Sequence, residues 1–323
     1  MQKLKNVKGW FQSDSINGIL LNFPGKIRQK GTYFKALLAL AVVSLVWGTT
    51  WVVSKVGVGF LPGLQLASIR QIIAGTAFLV YFFVKKYTLP ERSDYLPLII
   101  LAILNFVMSN GLSTWGVMYI PAGLGSIIGA IFPFWIVILG FIGENTRPPV
   151  RSLAGLVIGF SGICIIFYDH VLDFVKPDFR FGIFLSLFST FTWALGTLYT
   201  KKHAKRFNPY FGLGFQLTIS GIILFIISLY NPGTLSLVEI PWQAWVSIIY
   251  LVVFGSMIGF IAYIYALQHL PTEQTAIYAY INPIVAIITG SIFLHEKTGL
   301  FILAGVITTL TGVYLVNSSY RSK

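Results

Sequence analysis

The stretch Pro271–Asn317, PTEQTAIYAYINPIVAIITGSIFLHEKTGLFILAGVITTLTGVYLVN, decides the fold because the chain carries its outline twice. Setting Pro121–Val171 beside Pro271–Arg321, a shift of 150, places Pro121 on Pro271, Pro133 on Pro283, Gly140 on Gly290, Gly155 on Gly305 and Gly162 on Gly312. A shift of 146 then places Ser44, Trp47 and Lys55 on Thr190, Trp193 and Lys201. The chain reads as an internal duplication, and a repeat of this size has to be settled before a fold class is assigned. Both copies are built from apolar runs.

Of the 323 residues, 56% are hydrophobic and 10% charged, and the mean hydropathy is +0.79. Soluble domains average about 25% charged residues. A chain this poor in charge has too little polar surface to stay dissolved, so lipid is its solvent over most of its length. Each crossing takes roughly 20 mostly apolar residues, with backbone polar groups satisfied inside the helix because lipid offers no partners. The expected fold class is therefore an all-α integral membrane protein. A net charge of +13 can signal nucleic acid. Here the basic residues lie between apolar runs, where they orient a membrane protein, and no nucleic-acid partner is expected. The single cysteine, Cys164, lies inside an apolar run. That excludes an intramolecular disulfide and a cysteine metal site.

Ten apolar runs follow one another, at 34–55, 65–84, 95–118, 122–142, 151–168, 181–201, 210–230, 243–267, 273–294 and 298–317. Turn and breaker residues mark their ends, among them Pro62-Gly63, Pro121, Pro148-Pro149, Asn208-Pro209 and Pro271. Residues 1–33 form a polar, basic cytoplasmic tail, either loosely ordered or an interfacial helix. Residues 34–169 make the first repeat, 170–180 the linker, 181–318 the second repeat and 319–323 a short cytoplasmic tail. With the N-terminus inside, 18 basic residues fall on the cytoplasmic side and 4 on the other, which sets the orientation under the positive-inside rule. Five helices per repeat is an odd number, so the second repeat is inverted relative to the first. The expected location is a bacterial cytoplasmic (inner) membrane, multi-pass, with both termini cytoplasmic.

Polar stripes mark the helix faces that cannot face lipid. Ser44, Trp47, Trp51 and Lys55 share one face of the first helix, and Thr190, Trp193, Thr197 and Lys201 share the matching face of the sixth. Asn105, Ser109 and Ser113 form a stripe on the third, with Asn110 and Thr114 beside it. Ser256, Gly259 and Tyr263 mark the eighth, and Thr275, Tyr278 and Asn282 the ninth. Buried polar groups at membrane depth are costly unless partnered or wet. Five stripes together read as a central substrate pathway, whose candidate binding residues are Trp47, Trp51, Asn110, Ser113, Trp193, Thr197, Tyr263, Tyr278 and Asn282. The plainer reading of any one of them is helix–helix packing. Pro133 and Pro283 interrupt the fourth and ninth runs, as static kinks or as gates. Lys55 reads as snorkelling to the interface. Arg70 lies two turns inside its helix and needs a partner, expected among backbone carbonyls.

No acid falls in the middle of an apolar run, and the four histidines sit at run ends. A proton relay at depth has no obvious group to use. No metalloprotease, nucleophile-elbow or phosphate-loop pattern occurs, so no catalytic residue, cofactor or metal is expected. Glu144, Glu273 and Glu296 stand at helix ends, where acids cap helices.

These residues resemble the drug/metabolite transporter superfamily in its EamA-like branch. In the first half the resemblance runs through Trp47-Gly48, Lys55, Pro62, Arg70, Pro121-Ala122, Phe132-Pro133, Gly143-Glu144, Gly155 and Gly162. In the second it runs through Trp193, Tyr265-Ala266-Leu267-Gln268, Pro271, Asn282-Pro283, Leu294-His295-Glu296, Gly305 and Gly312. It covers about residues 34–318. Two departures stand out. Pro133 and Glu144 are 11 positions apart where Pro283 and Glu296 are 13, and His295 stands where glycine is common. The resemblance implies ten helices in two units and a secondary transporter of small metabolites, often an exporter of amino acids or related compounds. An integral membrane enzyme on lipid-linked substrates is the alternative, resting on His295-Glu296. A non-transporting sensor or assembly protein is a third reading, which would have no continuous cavity.

Overall fold

The computed structural model describes residues 30–144, 149–168, 172–203, 207–231, 233–270, 275, 278–296 and 299–319. The tail before residue 30, Pro271 through Glu273 and the last four residues lie outside the described residues, as do the side chains of Glu144 and Lys201. Among the described residues there is no strand. The helices are α1 (Lys30–Gly57), α2 (Gly63–Val84), α3 (Arg92–Gly116), α4 (Ala122–Gly129, resuming at Phe132–Glu144), α5 (Val150–Tyr168), α6 (Pro177–His203), α7 (Pro209–Leu229), α8 (Trp242–His269), α9 (Tyr278–Leu294) and α10 (Leu300–Ser319). Six of them, α1, α2, α3, α6, α7 and α8, are long and apolar enough to cross a membrane. The others are shorter apolar helices.

Proline sets many of the starts. Pro62, Pro121 and Pro241 precede α2, α4 and α8 with extended ψ angles, a conformation that cannot continue a helix from the preceding residue. At α7 the Asn208 side chain accepts from the N–H groups of Tyr210 and Phe211 at 3.0 and 3.2 Å, with Pro209 in the first turn. That arrangement satisfies donors the helix itself cannot. Pro133 sits just after a break at Ala130–Ile131, whereas α9 runs on through Pro283. The two prolines that the repeat aligns therefore do different things.

Two helix pairs hold the bundle at its edges, α5 with α10 and α2 with α7. Both close on glycine. A methyl group on Gly162 would lie 2.7 Å from the Gly305 carbonyl, and one on Gly305 2.6 Å from that of Gly162. The same is true of Gly155 and Gly312, at 2.7 and 2.5 Å. On the other edge, a methyl on Gly75 would lie 3.0 Å from the Gly214 carbonyl, and one on Gly221 3.1 Å from that of Ser68. The shifts of 150 and 146 convert each of these contacts into its counterpart. Such reciprocity, in which i meets j and their equivalents meet in return, is the mark of a two-fold relation. Close backbone approach through glycine is how helices gain van der Waals contact where lipid gives no hydrophobic drive.

Outward residues such as Val157, Phe160, Ile226, Ile292 and Ile307 are exposed and apolar, as lipid contact requires. The interior carries Leu66, Leu217, Ile248, Leu251 and Phe106 at 1% exposure or less. Both α3 and α8 pass through a π-helical stretch, Ala102–Gly111 and Leu251–Ile258, at positions that overlap under the 150 shift. Such stretches widen a helix and free carbonyls, and they often mark functional sites.

His295 has φ +53°. It follows the last residue of α9, in the left-handed conformation where glycine is the ordinary choice. His295→Gly is expected to raise stability by about 0.5–1 kcal/mol, read as a higher midpoint in thermal unfolding of the detergent-solubilised protein. A lower midpoint would show that the imidazole makes a contact worth more than the strain.

Candidate functional site

Four helices bring their aromatic residues to one place. The Trp47 ring of α1 lies 6.3 Å from Trp193 of α6, 5.1 Å from Tyr263 and 5.0 Å from Phe260 of α8, and 5.2 Å from Tyr278 of α9. Trp193 and Tyr263 are also 6.3 Å apart, and Tyr263 and Tyr278 5.6 Å. These separations suit edge-on and tilted ring packing. Trp47 is fixed at its polar end as well, since Nε1 donates to the Gly255 carbonyl at 3.1 Å, within the π-helical stretch of α8. Asn282 lies one turn along α9 from Tyr278. Its amide nitrogen faces carbonyls, donating to Ser44 at 2.9 Å and Tyr278 at 3.1 Å, so it ties α9 to α1. Gly48 beside Trp47 lets Val285 and the Asn282 carbonyl come close.

The other candidates sit elsewhere. Trp51 lies against Gly125 and Gly129 of α4. Asn110 accepts from Gln71 Nε2 at 3.2 Å, and Gln71 Oε1 accepts from Ser220 at 2.6 Å, so this chain of bonds joins α2, α3 and α7. Ser113 and Thr197 donate to carbonyls of their own helices, those of Asn110 and Trp193. Asn105 presses its side chain against Gly196 of α6, and its Oδ1 has no hydrogen-bond partner among the described residues.

Two charged residues behave differently from the expectation drawn from sequence. Lys55 does not snorkel. Its ammonium donates to the carbonyls of Val117, Met118 and Ile120 at 2.8, 3.2 and 2.9 Å. It thus closes the C-terminal end of α3, where carbonyls lack intrahelical partners and favour a cation. Arg70 does not bond to carbonyls among the described residues. Its Nε donates to Ser256 Oγ at 2.9 Å, and both residues are buried. Glu296 caps a helix, as its position suggested. Its carboxylate accepts from the N–H groups of Ala122 and Gly123 at 2.6 and 3.1 Å, at the start of α4. The left-handed turn at His295 delivers it there. Lys55 and Glu296 therefore clamp the two sides of one turn, 117–123, from α1 and from the end of α9. Glu273 lies outside the described residues.

A cavity of about 460 Å³ lies at this end of the bundle, lined by Tyr119, Pro121, Asp173, Lys176, Pro177, Asp178 and Phe179. Among the described residues no group of three or more His, Cys, Asp or Glu side chains could hold a metal ion.

The model of the EamA-like transporter family matches the chain twice, over residues 34–168 and 180–318. The chain belongs to the EamA-like transporter family. It is an integral, multi-pass membrane protein. It is 29% identical to the uncharacterized transporter YvbV of Bacillus subtilis over 291 residues, 90% of this chain and 93% of that one. It is 28% identical to a probable amino-acid metabolite efflux pump of Escherichia coli K12 over 297 residues, 86% and 93% of the two chains. A solved crystal structure shares the fold at a TM-score of 0.62 and 13% identity, covering 87% of this chain and 96% of that one.

Proposed function

We propose that this protein is a secondary transporter that exports small organic metabolites, amino acids or related compounds, across the cytoplasmic membrane. Its ten helices form two inverted five-helix repeats that rock about the aromatic cluster of Trp47, Trp193, Tyr263 and Tyr278. The observation that carries this reading is the reciprocity of the glycine contacts. Each repeat-exchanged pair supports a two-fold axis in the membrane plane, the architecture in which substrate binds between repeats. Asn110, Ser113, Thr197, Trp51 and Asn282 complete the proposed pathway. The efflux function named for the Escherichia coli relative supports export and the amino-acid class.

The Lys55–Glu296 clamp gives the mechanism a moving part. In the proposed orientation it lies on the outer face and draws α1, the α3–α4 turn and the end of α9 together. Opening outward breaks five hydrogen bonds to backbone, and closing restores them. The enzyme alternative finds no support here, because Glu296 is committed to the α4 N-terminus and His295 to a left-handed turn.

Topology is tested by single cysteines at Ser93 and Thr234 in a Cys164→Ser background. They are expected to react with an impermeant maleimide from opposite sides, Ser93 inside. Reaction of both from one side overturns the inversion. Function is tested by counterflow of a labelled metabolite panel in liposomes, where a negative result across the panel overturns transport. Flux is expected to need no buried carboxylate, since no acid falls in the middle of an apolar run of the sequence. With an imposed pH step, Gln variants of Glu144, Glu273 and Glu296 should keep whatever response the wild type shows. Proton-driven accumulation that vanishes in one variant, still folded and active in counterflow, would place a relay there.

A further inference from the structure

Arg70 is 4% exposed and lies within α2. A guanidinium carries five N–H donors in a planar fork and does not lose its charge in proteins. One donor is placed, on Ser256. Among the described residues the two terminal nitrogens have no acceptor and the charge has no carboxylate. The acids whose side chains are described are Glu91, Asp94, Asp173, Asp178, Glu239 and Glu296, all in loops or at helix ends. An uncompensated charge at membrane depth is costly and calls for a partner.

Ser256 follows Gly255 in the π-helical stretch of α8. The carbonyl of Gly255 holds the Trp47 indole, and the hydroxyl of Ser256 holds Arg70. One helical turn thus joins a buried cation to the aromatic cluster. Gln71, next to Arg70, is bonded to Phe106, Asn110 and Ser220, which fixes α2 at this level. The repeat does not reproduce the arrangement: the shifts place Arg70 on Gln216 and Ser256 on Phe106. Among the described residues the centre therefore holds one cation, on one side of a scaffold whose repeats otherwise correspond.

We propose that Arg70, oriented by Ser256, is the subsite for the carboxylate of the transported solute, whose apolar body packs on Trp47 and Trp193. The class this selects is the amphipathic monocarboxylate, because a planar carboxylate accepts two parallel N–H bonds from the fork and the rings take the rest. This rests on the transporter reading. The guanidinium is nearly covered in this structure, so the solute reaches it when the repeats part.

The test is ligand binding to the full-length protein in nanodiscs, with 3-phenylpropanoate, L-phenylalanine and L-phenylalaninamide as probes, read by calorimetry and by tryptophan fluorescence. The wild type is expected to bind the two carboxylates at least about tenfold more tightly than the amide, the scale of a charge-assisted pair of bonds. Arg70→Gln should abolish that preference. Arg70→Lys, which keeps the charge and loses the fork, should weaken both carboxylates about threefold or more and leave the amide unchanged. It decides the matter if Arg70→Gln does not fold. Equal binding of acid and amide, no binding of either carboxylate, or wild-type carboxylate affinity in a folded Arg70 variant overturns the subsite. Flux separates the two readings. Transport of uncharged or cationic solutes, unaltered by Arg70→Gln, keeps the transporter and removes the subsite. Arg70-dependent carboxylate binding without flux of any solute does the reverse.

Discussion

Gly312→Val is expected to leave little folded protein. A first side-chain carbon at this position would fall on the backbone of Gly159 and 2.5 Å from the Gly155 carbonyl. Backbone cannot step aside as a flexible side chain does, so α10 would have to move away from α5 along its length. Overpacking in well-packed cores costs about 1–3 kcal/mol and sometimes more. Here the loss is compounded because Gly155, Gly162, Gly305 and Gly312 act as one seam, and lipid fills the gap without penalty to itself. The expected result is a fall of several-fold in the monodisperse yield from detergent, with a lower unfolding midpoint in what remains. Val157→Leu, on the exposed face of α5, should change neither. The repeat supplies a second check: Gly162→Val should behave as Gly312→Val does, because the shift of 150 exchanges them. Wild-type yield and midpoint in both variants would mean that the seam is not what holds this pair together.

The helices were legible in the sequence because lipid permits few solutions. Apolar runs near 20 residues and prolines at their starts, such as Pro121 and Pro241, mark helices whatever surrounds them. Boundaries were less legible. α6 begins at Pro177 rather than 181, since proline suits a first helical turn as well as a linker. The π-helical stretches left no mark, because a π turn reflects competition among carbonyls within the folded bundle and not a preference of Asn105 or Gly255. Of the candidate residues, the stripes containing Trp47, Trp193, Tyr263 and Tyr278 led to a single cluster, for a period of 3.6 fixes which face is polar. It does not fix which neighbour that face meets. Trp51, one helical turn further along α1, shares its face with Trp47 yet packs against Gly125 and Gly129 of α4. For the same reason the sequence does not disclose what Lys55 meets. Its three carbonyl partners lie more than sixty residues away, where no local pattern points. Glu296 was read correctly as a cap because an acid at a helix end favours N–H groups, although the helix it caps belongs to the other half of the chain.

Trp47→Ala and Gly259→Ala, substitutions on different helices, are expected to cause the same defect. Trp47 is the ring that all the others touch, and its indole N–H holds the Gly255 carbonyl. Removing it empties the space between α1, α6, α8 and α9 and releases a carbonyl that the π-helical stretch leaves available. Gly259 lies one turn further along α8. A methyl group there would fall on the Trp47 indole nitrogen, so Gly259→Ala keeps the tryptophan and drives it from its place. Counterflow is expected to drop at least about tenfold in each, the scale seen when a positioning contact is lost. Trp47→Phe, which keeps a ring and loses the N–H, should fall between wild type and Trp47→Ala. The decisive measurement is the double variant. If both substitutions act through the position of one indole, the second adds little once the first is made. Flux in the double variant should then match that of the more damaged single, with size-exclusion profiles showing all of them folded. Independent, multiplying losses would mean that Gly259 serves α8 itself, through its π-helical turn, and that Trp47 is one packing residue among several.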